Sequence, residues 1–256
     1  MQAAIVVPHE MLTQGGDLPW LAANYDGPTA MLSFFNTLGA AAPSAGGLIT
    51  WSYLGDWVAI DTPNRYLVAN FHYALGAILA ADIASALGHT SDAVAFLARA
   101  SRISAAFPHA YWNTTLDAWD NGSQSSQLLP AYLNLGGDNF TTPALAALIN
   151  NVLANDIHLT VGATGARFLL QVLASAGRSD LSLALLLQGS YPSWAYEILN
   201  SSYPGTIWEA WDVADGNDGG GSDNHIFVGR GGASLALLRH SSTPSRALTL
   251  RRRQAA

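Results

Sequence analysis

Residues 66–87 have the sequence YLVANFHYALGAILAADIASAL, and this stretch decides the fold. Its large apolar residues recur every three or four positions, which is the spacing of one face of an α-helix. They are Leu67, Phe71, Leu75, Ile78, Leu79, Ile83 and Leu87. Gly88 follows directly, and glycine is common just past the end of a helix. The stretch therefore predicts one long helix that ends at Gly88.

The same region is the best candidate for a membrane segment. From Tyr73 to Leu87 it is weakly polar, but Asp82 interrupts it and much of the rest is alanine and glycine. A membrane-spanning helix needs roughly 20 predominantly apolar residues. We therefore expect no membrane segment. Only 11% of all residues are charged, against about 25% in an ordinary domain, which indicates helices that are buried on several sides.

Helical patterns continue along the rest of the chain. Ser91 can cap the next helix, which Pro108 is expected to end, and Thr142-Pro143 predicts the start of another. Further helices are predicted at residues 29–38, 123–135, 166–176, 179–189 and 229–238. There is no sustained alternation of period two, so no sizeable sheet is expected. Helices joined by short links indicate a bundle, a solenoid or an α/α barrel, and the lack of a fixed repeat disfavours the solenoid.

Charge and cysteine content exclude several classes of function. The net charge is −7, lysine is absent, and the 11 basic residues are all arginine. No basic face precedes the tail, so nucleic acid is not an expected partner. Cysteine is absent, which excludes disulfides, thiol catalysis and zinc–thiolate sites. The length allows one large core or two small ones. The composition changes after His240, which separates residues 1–240 from a predicted disordered, arginine-rich tail at residues 241–256.

Aromatic and acidic residues are concentrated between the predicted helices. All but one of the eight tryptophans lie in four such segments. These segments are residues 51–57, 112–120, around 194, and 208–212. Sugar-binding sites have this composition, because aromatic rings stack on C–H groups while carboxylates bind hydroxyls. The alternative is that these aromatic residues fill loops against the helix ends, and the sequence leaves both open.

Glu209 is the strongest candidate for chemistry. It is one of three glutamates, with Glu10 and Glu197, and it lies between Trp208 and Trp211. Partial desolvation by tryptophans raises the pKa of a carboxyl group towards the range useful for acid–base catalysis. The pattern thus predicts a catalytic acid or base. A structural glutamate that caps the following loop is the alternative.

No motif points to a metal or a cofactor. Residues 215–221 are rich in aspartate and glycine and could bind calcium, but they lack the order of an EF-hand, so a solvated loop is favoured. His225 follows this loop, and the histidines show no metal-binding spacing. There is also no serine nucleophile elbow and no phosphate-binding glycine motif. We therefore expect neither a metal nor a cofactor.

Taken in order, seven short segments resemble the α-L-rhamnosidases of glycoside hydrolase family 78 over roughly residues 3–235. The segments are Gly55-Asp-Trp57, Asn155-Asp-Ile-His-Leu-Thr-Val-Gly162 with Gly165, Leu169-Leu-Gln-Val-Leu173, Gly177-Arg-Ser-Asp-Leu181, Tyr191-Pro-Ser-Trp-Ala-Tyr196, Thr206-Ile-Trp-Glu-Ala-Trp211 and Ser222-Asp-Asn-His225. Any one of them alone is weak, but their shared order and spacing are specific.

The resemblance implies an all-α protein with an (α/α)6 six-hairpin barrel. It also implies hydrolysis of terminal α-L-rhamnosides with inversion, acting on rhamnose-containing glycosides or polysaccharides. In this comparison Glu209 matches the general base that activates water, and Trp57 and His225 match residues that line the rhamnose subsite.

Three more residues are candidates for substrate binding because they stand in the same family motifs. They are Asp56, Trp194 and Trp208. Their contact with sugar is less directly implied than that of Trp57.

The chain also departs from the family pattern. The family's general acid is a glutamate in an Arg-Asp-Glu-type segment, followed by a Gly-Trp-x-Gly-Asp run, and both precede the Gly-Asp-Trp motif. Neither occurs in this sequence. Family members usually also carry β-domains around the barrel. We therefore expect an incomplete barrel without its N-terminal helices, in a fragment, a truncated gene product or a decayed paralogue that is inactive alone.

Two other functions remain open at this point. One is a non-catalytic rhamnose-binding pseudoenzyme that keeps Trp57 and His225. The other is a different carbohydrate-active enzyme built on an α/α barrel.

Overall fold

The structure, a computed structural model, describes residues 2–41, 46–52, 54–200 and 206–211. Within these ranges the chain is mainly helical, and its only strands are two that are two residues long each. The contacts divide the chain into two compact units. The first contains the described residues up to 52 together with residues 66–111. The second contains residues 54–65 and the described residues from 112 onward.

The first unit is mainly helical within its described residues, and a π-helical segment at Gln2–Val6 precedes its α-helices. Its α-helices are α1 (Val7–Gln14), α2 (Leu18–Ala23), α3 (Asp26–Ala40), α4 (Arg65–Ala86) and α5 (Thr90–Tyr111). The predicted helices at residues 66–87 and 29–38 are confirmed. α5 begins at Thr90, so Ser91 lies inside the helix rather than in front of it as its cap.

Helix α4 forms the core of this unit. Leu67, Phe71 and Ile83 are fully buried. α4 has the length and hydropathy of a membrane-spanning helix, although the sequence interrupted by Asp82 indicated a stretch too short for one. Of its most apolar window, 83% is buried inside the structure. This is the burial expected of a helix packed in a protein core.

A polar residue inside α4 organises a neighbouring segment. The Asn70 side chain accepts a hydrogen bond from the Ile49 amide at 2.8 Å and donates one to the Ile49 carbonyl at 2.8 Å. It also donates to the Tyr111 hydroxyl at 2.9 Å. Because buried backbone groups need partners, this one amide replaces a strand neighbour for Ile49.

The prediction that Pro108 ends its helix is wrong. α5 continues through Pro108 to Tyr111. The Tyr111 ring packs on Phe107 with 4.7 Å between ring centroids, and its hydroxyl accepts the hydrogen bond from Asn70. These contacts hold the last turn in helical form although proline removes one backbone donor.

The second unit contains a small hairpin and five further helices within its described residues. Strands β1 (Trp112–Asn113) and β2 (Ala118–Trp119) pair antiparallel, with Trp112 opposite Trp119. The helices are α6 (Gln124–Leu133), α7 (Asp138–Ala154), α8 (Ala163–Ser175), α9 (Ser179–Leu187) and α10 (Trp194–Asn200). α7 packs on α6, α6 on α8, and α8 on α9. The helices predicted at 123–135, 166–176 and 179–189 are confirmed.

Two boundaries in this unit differ from the sequence prediction. Pro143 lies inside α7 and does not start it, because the helix begins at Asp138, where the Gly137 carbonyl accepts the amides of Phe140 and Thr141. α10 was not predicted, and Trp194 is its first residue instead of a loop residue. The predicted helix at 229–238 and the predicted tail at 241–256 lie outside the described residues.

The first turn of α6 is buried and polar, and it connects three parts of the unit. The Gln127 side chain accepts from the Trp119 amide at 3.0 Å and donates to the Trp119 carbonyl at 2.8 Å. The Gln124 side chain donates to the His158 carbonyl and accepts from the Thr160 amide, both at 2.9 Å. Ser125 reaches Asp56. This turn therefore holds the hairpin, the segment before α8 and the Gly55-Asp56-Trp57 motif together.

Candidate functional site

Asp56 is a buried carboxylate that organises the start of α8. Only 3% of the residue is exposed. One oxygen, Oδ2, accepts from the Ser125 hydroxyl and from the Gly162 amide, the latter at 2.8 Å. The other, Oδ1, accepts from the amides of Thr164 at 2.8 Å and Gly165 at 3.2 Å. The amino-terminal turn of a helix presents unpaired amides and a positive dipole end, so a carboxylate is stabilised there.

Two opposing effects act on the pKa of Asp56. Burial raises its pKa above the ordinary value, because the charged form loses its hydration. The hydrogen bonds from Ser125 and from the three backbone amides act in the opposite direction. The Ser125 hydroxyl and the three amides all donate to Asp56. This arrangement suits an ionised carboxylate, because an ionised carboxylate can only accept hydrogen bonds.

The backbone beside Asp56 places Trp57. The Trp57 carbonyl accepts the Ala163 amide at 2.8 Å, at the start of α8. Gly162 makes this approach possible, because a Cβ atom there would lie 2.8 Å from the Asp56 carbonyl oxygen and 2.7 Å from the Ala59 nitrogen. The Trp57 residue itself is 40% exposed. The loop thus anchors its backbone to α8 and presents the indole outward.

A second anchored segment carries Glu209. Trp208 is 4% exposed and Trp211 is 1% exposed, while Glu209 between them is half-buried. The Trp211 indole donates to the Val161 carbonyl at 2.6 Å, and its ring meets the edge of Trp194 with 5.8 Å between centroids. The two buried indoles fix this segment, so Glu209 is directed away from the core.

The two segments meet at one hydrogen bond. The Trp57 indole nitrogen donates to Glu209 Oε1 at 3.2 Å. An exposed indole thus lies beside a half-buried carboxylate whose orientation it helps to fix. An aromatic face next to a carboxylate is the arrangement that carbohydrate sites use.

Glu197 is a site residue that the sequence analysis mentioned but did not select. It lies on α10 and is fully buried. Its Oε2 accepts the amide of Trp208, the residue before Glu209, at 3.2 Å. Burial raises the pKa of Glu197 to about 8, and the hydrogen bond from the Trp208 amide opposes this increase only partly. Its side chain is therefore neutral below that pH.

The remaining predicted site residues have different surroundings. Trp194 and Trp208 are both buried, so their rings pack inside the protein and are not exposed to a ligand. Asp56 is likewise enclosed by the donors described above. His225 and the aspartate-rich loop at 215–221 lie outside the described residues. Among the residues that the structure describes, no group of three or more possible metal ligands is found.

The tryptophans of the hairpin, Trp112 and Trp119, also pack against other aromatic residues of the protein. Trp119 is fully buried and meets Trp112 edge to face at 4.9 Å, and both contact Phe140. This cluster packs the hairpin on α7. For these residues the structure therefore favours the packing alternative over a sugar-stacking surface.

Comparison with known proteins places this arrangement of helices and loops among the six-hairpin glycosidases. The model of the bacterial alpha-L-rhamnosidase six-hairpin glycosidase domain matches residues 1–234. The chain therefore belongs to this family. The resemblance and the helical fold class predicted from the sequence are both confirmed.

Individual relatives agree with the family match. An alpha-L-rhamnosidase of Streptomyces avermitilis is 31% identical over 96% of this chain, and one of Alteromonas sp. is 27% identical over 82%. The chain spans 23% of the length of each of these relatives.

Solved structures give the same result. The alpha-L-rhamnosidase of Streptomyces avermitilis, complexed with L-rhamnose, superimposes with a TM-score of 0.80, over 91% of this chain and 22% of that one. The enzyme of Aspergillus terreus also gives 0.80, at 25% identity, over 91% of this chain and 28% of that one.

Proposed function

We propose that this chain carries the general-base side of an α-L-rhamnosidase site, for hydrolysis of terminal α-L-rhamnosides with inversion. Because the Arg-Asp-Glu segment of the family's general acid does not occur in this sequence, we expect the chain alone to turn over only substrates whose leaving group needs no proton. Glu209 is the general base that activates water, and Trp57 forms part of the rhamnose subsite. The observation that carries the proposal is the hydrogen bond from the exposed Trp57 indole to the half-buried Glu209 carboxylate. Membership of the alpha-L-rhamnosidase family supports rhamnosides as the substrate class.

The geometry suits a base that holds water. A general base needs a fixed carboxylate within hydrogen-bonding reach of the nucleophile. The buried Trp208 and Trp211 fix the backbone of Glu209, and the Trp57 indole orients its carboxylate. The indole beside it offers an apolar face for the C–H groups of a sugar ring.

An inverting hydrolase also needs a general acid, with the two carboxyl groups about 6.5–9.5 Å apart. Glu197 is close to Glu209 along the chain, but it is fully buried and is not assigned this role. The test should therefore not depend on the acid. A substrate with a good leaving group meets this condition, because the departing anion needs no proton.

The experiment is hydrolysis of 2,4-dinitrophenyl α-L-rhamnoside by the full chain. We expect turnover above background and a first-formed β-anomer, observed by proton NMR. Glu209→Gln should lower the rate by about a hundredfold or more, as for the loss of a general base. Glu10→Gln, the same change in α1, is the matched control and should leave the rate unchanged.

The outcomes separate the alternatives. Turnover that survives in Glu209→Gln would contradict the assignment of the base. Absence of turnover, with L-rhamnose binding in calorimetry that Trp57→Ala removes, would favour the non-catalytic binding protein. Hydrolysis of other glycosides but not rhamnosides in a substrate panel would favour a different carbohydrate enzyme on the same fold.

A further inference from the structure

Glu197 is a buried carboxyl group that the proposed mechanism does not use. The residue is fully buried on α10. Within the described residues, its carboxyl group makes one hydrogen bond, which it accepts from the Trp208 amide. Its Oε1 is buried without a hydrogen-bond partner among those residues. Burying a carboxyl group this way costs free energy, so a leucine would be the cheaper residue for packing alone.

The Trp208 amide connects Glu197 to the site. Trp208 is buried, and its amide would lack this acceptor without Glu197. The next residue is Glu209, which accepts the Trp57 indole hydrogen bond at 3.2 Å. A displacement of the Trp208 backbone would therefore move the Glu209 carboxylate relative to Trp57.

The other anchors of the segment act at different points. Trp211 is held through its indole by the Val161 carbonyl, two residues past Glu209. The Trp208 ring meets Tyr196 of α10 edge to face at 6.4 Å between centroids. Within the described residues, the Glu197 carboxyl group is the acceptor that binds the Trp208 amide, directly before Glu209.

We propose that Glu197 is a positioning residue for Glu209, whose carboxyl oxygen holds the Trp208 amide and so fixes the backbone from which Glu209 reaches Trp57. Its role in catalysis rests on the proposed function of Glu209. The geometric role does not, because it concerns the Trp57–Glu209 contact itself. A polar acceptor of the same length at position 197 is sufficient for this task.

The test reads the Trp57 indole N–H signal in proton–nitrogen correlation spectra of the full chain. Trp57→Phe assigns the signal, and Glu209→Gln gives its displacement when the acceptor is altered. Glu197→Gln keeps an oxygen acceptor of the same length and should leave the signal in place. Glu197→Leu removes the acceptor, and we expect it to displace the signal by at least half as far as Glu209→Gln does.

A second variant covers the case in which leucine prevents folding. Glu197→Asp retracts the acceptor by one methylene and should also displace the Trp57 signal, while the glutamine variant does not. A folded leucine or aspartate variant with an unmoved Trp57 signal would overturn the proposal. So would a glutamine variant that displaces it as far as leucine does.

Turnover of the activated rhamnoside gives the second reading. Loss of positioning should lower kcat about tenfold or more with little change in KM, and Glu197→Gln should restore it. If Glu209→Gln abolishes turnover while leucine at 197 changes neither turnover nor the signal, only the positioning role fails. If the signals respond as expected but no variant, nor the unmodified chain, turns over substrate, only the proposed function fails.

Discussion

Asp56, a candidate for substrate binding from its motif, is enclosed by hydrogen-bond donors of the protein itself. Its carboxylate is 3% exposed and accepts from one hydroxyl and three amides. The amides belong to Gly162, Thr164 and Gly165, at the start of α8. A buried charge is tolerated when it is fully hydrogen-bonded. Removing this acceptor is costly, because its donors stay buried without a partner.

Asp56→Asn should therefore destabilise the fold. The amide group places an N–H₂ donor where four donors converge, so at least one hydrogen bond is lost and two donors face each other. We expect a loss of roughly 2–4 kcal/mol in the free energy of unfolding, measured by urea denaturation. Asp180→Asn is the control, because Asp180 pairs with Arg178 on the surface. The urea midpoint of this variant should equal that of the unmodified chain. Equal midpoints for the two variants would contradict the structural role of Asp56.

Glu197 predicts a dependence of stability on pH. Burial raises its pKa from 4.5 to about 8 in the folded protein. The stabilisation that goes with its neutral form is fully present below about pH 4.5, and it is lost progressively as the pH rises to about 8. Each unit of raised pKa corresponds to about 1.4 kcal/mol.

Glu197→Gln cannot ionise, so it should escape this loss. In urea denaturation from about pH 5 to about pH 9, the unmodified chain should lose free energy of unfolding relative to the glutamine variant. Parallel pH profiles for the two proteins would show that Glu197 does not titrate in this environment.

The sequence predicted these residues only in part. Glu209 and Trp57 were selected from the tryptophan-flanked glutamate and the family motif, and the structure brings them within a hydrogen bond of each other. The partners of Asp56 lie far away along the chain, with Ser125 at 69 positions and the three amides at 106 to 109 positions. Local sequence contains no signal for such partners. The sequence around Glu197 does not predict its role, because no neighbouring residue indicates that its carboxyl group accepts the Trp208 amide.

At the scale of elements, the amino-terminal end of α8 is the support on which the site depends. It receives the Asp56 carboxylate and the Trp57 carbonyl, and the Val161 carbonyl, two residues before the helix begins, accepts the Trp211 indole. Gly162 is the residue that lets these backbones approach. The Ser182 hydroxyl, which donates to the Leu170 carbonyl at 2.8 Å, ties α9 to the same helix.

Gly162→Ala should disrupt this support. A Cβ atom would lie within 3.0 Å of the backbone of residues 56 and 59, which cannot move as a flexible side chain can. We expect a loss of about 1–3 kcal/mol in the free energy of unfolding, as for overpacking in a core. Gly189→Ala is the matched control, because no atom lies within 4 Å of its added Cβ atom. Equal stability of the two variants in urea denaturation would refute the close approach.

Helices were predicted well where their apolar periodicity is strong, and their ends less well. The helices over 66–87 and 166–176 follow from spacing alone. Pro108 and Pro143 were read as boundaries, yet both lie inside helices. Contacts made elsewhere override the local preference, such as that of Tyr111 with Phe107 and Asn70. The short helix α10 has too few residues for a periodic signal.

For the whole molecule, the family match and the exposed Trp57 indole predict a response to sugar. L-rhamnose in excess should raise the melting temperature by a few degrees, because a ligand that binds only the folded state stabilises it. Trp57→Ala should remove the shift, whereas Trp20→Ala, which deletes another exposed indole, should keep it. D-mannose is the control ligand. A shift that persists in Trp57→Ala, measured by scanning calorimetry, would contradict the assignment of the subsite.

The overall architecture was the most predictable level. The order of the family segments implied a helical six-hairpin domain, and the family model matches over residues 1–234. The contribution of His225 stays a prediction, because that residue lies outside the described ranges. What the sequence did not reveal is the division into two compact units, which arises from contacts between segments that are distant in the chain.

The Trp57–Glu209 hydrogen bond joins residues that are 152 positions apart. On a ribosome that adds about 5–20 residues per second, Trp57 would wait roughly 8–30 s for Glu209 to be made. Closing so long a loop is entropically costly until the helices between have packed. The contact between Trp57 and Glu209 therefore forms later in synthesis than the contacts among the helices between them. Throughout that interval the Trp57 indole, which donates to Glu209 in the folded protein, has only solvent to accept its hydrogen bond.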